Sequence, residues 1–144
     1  MKEFFDTSVL VPAFVGDHPH HEASAKVFTK AAKKHSFCAA HSLAELYSTL
    51  TSLPLKPMIS PDQAVLFIQE ARDHLSVITL DEMEYYAAIE QMAERRITGG
   101  RIYDALLLHC AMKAKAETIY TWNLKHFQNL FPELSEKVKT PQNS

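Results

Sequence analysis

With 144 residues, 47% of them apolar and 22% charged, the chain is long enough for one hydrophobic core and too apolar to be disordered. Its net charge of −2 argues against nucleic-acid recognition by a broad basic surface, but not against phosphate contact through a bound divalent cation. Cys38 and Cys110 form no CxxC and sit in apolar surroundings, as reduced buried thiols do, and Asp6 breaks the N-terminal apolar run before it resembles a signal peptide. No stretch is long enough to span a bilayer, so a cytoplasmic protein is expected.

In chain order, residues 2–5 read as a short strand that Asp6-Thr7-Ser8 interrupts, and residues 9–15 as the start of a helix capped by Ser8. Gly16 to Pro19 is a turn. Residues 20–34 are helical, with Ala23, Val27 and Ala31 at four-residue spacing. Residues 36–40 form a short apolar strand. Residues 42–53 form a helix striped by Leu43, Leu46, Leu50 and Leu53, which Pro54 and Pro57 end. Ser60-Pro61-Asp62-Gln63 is a capping box that opens a helix over residues 61–74.

Residues 76–80 are β-branched and strand-like, and Asp81-x-x-Glu84 opens a helix with Met83, Tyr86, Ile89 and Ala93 on one face. Gly99-Gly100 is a loop. Residues 102–115 are apolar nearly all round, which predicts a buried helix. A strand at 118–121 and a short helix or turn at 123–130 follow. The expectation is one α/β domain over residues 1–134 with a polar tail at 135–144. Strands alternating with helices imply a parallel sheet covered on both faces. Ligands of such sheets bind beyond the carboxyl ends of the strands, which selects Asp6, Asp81 and Asn123 as positions at the edge of a site.

Each candidate has two readings. Asp6 is either an Asx-turn or a partly desolvated carboxylate that needs a cation or donors. Glu45 follows Ser42 at capping-box spacing, yet a first-turn carboxylate can also point into a site. Asp104 either complements a helix dipole or is held in place by the context GGRIYDALLLHCAMKAKA, in which a single acid leads a buried helix. Asn123 is either an N-cap or an amide that ligates a hard cation. The Asp17-His18-Pro19-His20-His21-Glu22 cluster reads as a polar loop and helix start rather than a zinc site, because no second pair of soft ligands accompanies it. There is no GxGxxG, Walker A or GxSxG motif.

Four segments together resemble the PIN domain, and within it the VapC-type toxins of toxin–antitoxin pairs. They are FFDTSVLV, HSLAELYSTLTSLP, GGRIYDALLLHCAMKA and TIYTWNLKHF, and the likeness covers nearly the whole chain. The resemblance implies a three-layer α/β/α sandwich with a central parallel sheet and a metal-dependent ribonuclease. It puts the catalytic polar residues at Asp6, Glu45, Asp104 and Asn123, the metal ligands at Asp6, Asp104 and Glu45, and supporting hydroxyls at Thr7 and Thr121. It implies Mg²⁺ or Mn²⁺ as the cofactor, RNA as the substrate, a small antitoxin as a partner, and a homodimer. With Asn123 in place of a fourth acid, one tightly held ion is expected rather than a stable pair. Arg101, Lys113, Lys125 and His126 are candidates for contacting the RNA backbone.

Three alternatives stand beside this reading: an aspartyl-phosphate hydrolase, a non-catalytic PIN-like module that binds RNA or a partner, and a housekeeping RNA-processing nuclease. The first needs a second Asp two residues after Asp6, where this chain has Ser8.

Overall fold

The computed structural model describes residues 1–143 and shows five short parallel strands between two layers of helices. Strand β1 (Glu3–Phe5) lies at the centre. It pairs on one side with β2 (Ser36–Ala39), which pairs in turn with β3 (Ser76–Ile78). On its other side it pairs with β4 (Thr118–Tyr120), and β4 with β5 (Val138–Lys139). The order is therefore β3-β2-β1-β4-β5, and the chain reverses its direction of travel across the sheet between β3 and β4. That reversal opens a crevice beyond the carboxyl ends of β1 and β4, where α/β sheets of this type bind ligands.

The alternation of strand side chains divides the core in two. Phe4 and Ile119 point to one face, under α5 (Glu82–Glu94), α6 (Arg101–Lys113) and α7 (Leu124–Leu130). Phe5, Cys38 and Tyr120 point to the other, under α1 (Thr7–Phe14), α2 (His21–Thr29), α3 (Ala40–Ser52) and α4 (Pro61–His74). The two covered faces are the reason consecutive apolar residues, Phe4-Phe5, Cys38-Ala39 and Ile119-Tyr120, run along the central strands. The α/β/α sandwich expected from the sequence is the observed architecture.

The capping boxes at Ser60/Gln63 and Asp81/Glu84 are both formed, and the helices start where they predict. Elsewhere tertiary contacts displace local signals. Helix α1 begins at Thr7, not at Val9, and its N-cap is Asp6 without a side-chain cap bond. The Ser8 hydroxyl, expected to cap that helix, is drawn to the Asp6 carboxylate instead. Helix α3 begins at Ala40, two residues before the expected Ser42 start, so the Ser42/Glu45 capping box does not form.

The stripe of Met83, Tyr86 and Ile89 on α5 faces outward, and Ala88 and Met92 face the core. The segment after Ser135, expected as a polar tail, supplies β5, and Val138 is buried against Ile119 and its neighbours. A strand of two residues is too short to show a period in sequence.

Candidate active site

Asp6 is the first residue beyond β1, and its amide donates to the Tyr120 carbonyl at 3.0 Å, tying the ends of β1 and β4 together. Its side chain is 3% exposed. Oδ2 accepts from Ser8 Oγ at 2.6 Å and from Thr121 Oγ1 at 2.8 Å. Thr121, fully buried just after β4, also accepts the Asn123 amide at 3.0 Å. Thr121 thus links the acid of one strand end to the loop of the next.

Burial pushes the Asp6 carboxyl up to about 6. The two hydroxyl donors oppose that rise, while the negative fields of Asp104 and Glu45 add to it. The hydroxyls do not cancel the cost of desolvating the anion, so the site is short of positive charge.

Thr7, the first residue of α1, places Oγ1 2.7 Å from Glu45 Oε1 and 2.8 Å from the buried Ser42 Oγ. A threonine has one hydroxyl proton, and the carboxylate is the stronger acceptor, so that proton orients Glu45 across the start of α3. His41, one turn before Glu45, places Nε2 3.9 Å from Oε2.

Asp104 sits in the first turn of α6. Burial holds its carboxyl above the ordinary range and Glu45 adds to this, while His126 and Arg101 pull it down. Asp104, Arg101, His126 and Asn129 line a cleft of about 310 Å³.

Three of the expected acids, Asp6, Glu45 and Asp104, therefore share one electrostatic neighbourhood. Thr7 and Thr121 hold two of them. Asn123 is exposed at the N-cap of α7, makes no side-chain cap bond, and lines a groove with Thr7 and Ser8. Lys125 lies exposed on α7 beside His126. Lys113 is held elsewhere, by Glu84 Oε1 at 2.7 Å and the Thr79 carbonyl at 2.9 Å. Asp81 accepts the Glu84 amide as the N-cap of α5. It belongs to that capping network rather than to the acid cluster, since β3 is the edge strand.

In the histidine-rich loop, His18 Nδ1 accepts the His20 amide and His21 Nδ1 lies 2.8 Å from the Pro12 carbonyl. Ser8 and Ser42 were not expected at the site. In each case a plausible helix-capping role concealed a contact that only the folded chain makes.

Among the described residues no three His, Cys, Asp or Glu side chains close around a single point as they stand. The donor set is all oxygen, and Asp6 is a buried anion short of countercharge. Such a donor set suits a hard divalent cation held by a few carboxylates.

The family model described as PIN domain matches residues 4–129. A Mycobacterium tuberculosis protein named Ribonuclease VapC40 is 32% identical over 114 residues, which is 79% of this chain and 81% of the relative. Among solved structures, the M. tuberculosis toxin VapC20, described as cleaving the sarcin–ricin loop, superposes with a TM-score of 0.70 at 13% identity. That match covers 87% of this chain and 92% of the other. A toxin–antitoxin complex from Klebsiella pneumoniae gives 0.67 at 16% identity, covering 97% and 98%.

Proposed function

The chain belongs to the PIN domain family, and from that premise we propose that it is a metal-dependent ribonuclease, the toxin of a toxin–antitoxin pair. The observation that carries the reading is the buried Asp6 carboxylate at the β1/β4 crevice, raised to about 6 by burial and, further, by the fields of Asp104 and Glu45. Asp6 and Asp104 would hold the ion directly, and Glu45 directly or through water. A divalent cation bound there supplies positive charge to the scissile phosphate and acidifies a water for attack. Ser8 and Thr121 fix the Asp6 carboxylate and Thr7 fixes Glu45, so the acids keep their places without spending substrate binding on ordering them. Asn123 faces the approaching strand from the mouth of the crevice. Arg101 and His126 line the cleft with Asp104, and exposed Lys125 precedes His126 on α7. We assign these three residues to the phosphates on either side of the cut.

The relatives support the partners as well. A protein of the same fold is solved as a toxin–antitoxin complex, and this chain is proposed to bind a small antitoxin protein likewise. The outward stripe of Met83, Tyr86 and Ile89 on α5, with Met83 81% exposed, is the surface we assign to a second copy in a homodimer. No helix among the described residues is long and apolar enough to cross a membrane, and we place the protein in the cytoplasm with its RNA.

The test is cleavage of a mixed structured RNA by the unsubstituted chain and by Asp104→Asn, each with Mg²⁺, with Mn²⁺ and with EDTA. Cutting that needs the cation and falls by about a hundredfold or more in the variant is expected. Metal-independent RNA retention with no cutting by the folded, antitoxin-free chain would replace this reading with a binding module.

A further inference from the structure

The groove beside the acid cluster has a wall that the proposed hydrolysis does not use. Trp122 stands between Thr121, which holds Asp6, and Asn123. Its backbone and its ring are each held: the backbone amide donates to Ser8 Oγ at 2.9 Å, and the indole Nε1 donates to the fully buried Ser24 Oγ at 2.9 Å. The His20 ring lies over it with centroids 3.7 Å apart and planes 9° apart, and His18 follows at 5.7 Å and 36°. The loop that carries these rings is itself held, because the His20 amide donates to His18 Nδ1. The groove has a volume of about 460 Å³, and Thr7, Ser8, His18, His20, Trp122 and Asn123 line most of it. Two of these, Thr7 and Asn123, belong to the proposed catalytic set, so the groove opens directly onto it.

We infer that the stacked His20–Trp122 pair is a nucleobase subsite, which seats an unpaired base of the RNA beside the phosphate that the acid cluster holds. This rests on the ribonuclease reading above. Flat π faces rimmed by hydroxyl, imidazole and amide groups suit a base, which is itself flat and polar only at its edge. No lysine or arginine lines this groove, so a phosphate gains little there, whereas Arg101 and His126 lie at the cleft on the Asp104 side. An indole already held by its Nε1 bond to Ser24 and by the His20 stack loses little freedom when a base stacks on it. The strand would thus enter with a base on the Trp122 side and its phosphates on the Arg101 side. This requires the target to present at least one unstacked nucleotide at the cut.

Trp122 is the only tryptophan, so its emission reports on this groove alone. The experiment uses the full chain with Asp104→Asn to keep the strand intact, in Mg²⁺. The probes are a short single-stranded RNA of mixed sequence and the same ribose-phosphate backbone without bases. Retention on a filter measures binding, and Trp122 fluorescence is read in parallel. The RNA should quench Trp122 and bind about tenfold tighter than the abasic strand. Adding His20→Ala should remove most of that advantage while leaving abasic binding unchanged, and Trp122→Phe should keep more of it than Trp122→Leu. RNA retained with unchanged emission, or His20→Ala without effect on RNA affinity, overturns the subsite and leaves His20 as a structural pin, with the ribonuclease reading intact. Failure of the unsubstituted chain to retain or cut any RNA overturns both readings, and is told apart by the abasic and mixed strands failing alike.

Discussion

Replacing Asp6 with Asn should stabilise the metal-free protein at neutral pH, and the size of the effect follows from the burial of one carboxylate. A rise from 3.8 to about 6 corresponds to about 3 kcal/mol of preference for the neutral form in the folded state. Because the folded value lies above the unfolded one, this contribution is complete below pH 3.8 and is lost as pH rises through about 6. Above that, the folded chain bears a buried anion that the unfolded chain would leave in water.

Asn removes the charge but weakens the two hydroxyl bonds at Oδ2, which offsets about 1 kcal/mol. A net gain of about 1–2 kcal/mol at pH 7.5 is expected, or about 2–8 °C in Tm for a chain of this size. Thermal unfolding followed by circular dichroism in EDTA at pH 4.5, 6 and 7.5 should show the gap open with rising pH. Mg²⁺ at about a hundred times its Kd should then restore about 2.7 kcal/mol to the unsubstituted chain and little to the variant. A variant less stable than the unsubstituted chain at pH 7.5, or a gap that ignores pH, would refute the reasoning, because burial of an anion would then not dominate the site.

Three further outcomes rest on single contacts. Thr121→Val keeps the shape but removes the donor to Asp6 and the acceptor for the Asn123 amide, and should cost about 1–3 kcal/mol in urea unfolding. It should also move the acidic limb of the cleavage pH profile upward, since Asp6 loses a bond that favours its charged form. Arg101→Ala should weaken RNA binding across sequences and lower the slope of log K against log salt by about 1, measured by filter retention at several salt concentrations; an unchanged slope would take Arg101 off the phosphate path. Phe127→Ala, at a fully buried position between α6, α7 and the sheet, should cost about 3–5 kcal/mol, read from the urea midpoint at constant m.

The period of apolar residues and the turn chemistry were enough to predict alternating strands and helices, hence a parallel sheet with two covered faces. Both exposed capping boxes were legible because every atom they need lies within four residues. The acids were legible by position, Asp6 at a strand end and Asp104 at the head of an apolar helix, because a carboxylate in such company needs a reason. What sequence could not decide was which bond a hydroxyl chooses. Ser8 and Ser42 both stood at good capping positions, and both turned to partners at the site: Ser8 to Asp6 nearby in the chain, Ser42 to Thr7 from thirty-five residues away.

Sequence likewise gave no sign that Trp122 would meet His20, or that Met83, Tyr86 and Ile89 would face outward. An apolar stripe names a face of a helix and not its direction. Only the packing of α5 on α6 through Ala88 and Met92 chose that direction. Local bonding and periodicity therefore determined most of the elements, though not β5 or the starts of α1 and α3, and flagged the acids. The parallel order β3-β2-β1-β4-β5 decided the rest, because setting β4 against β1 brings Thr121 to Asp6 across 115 residues and makes a crevice where the chain itself shows only separate strand ends.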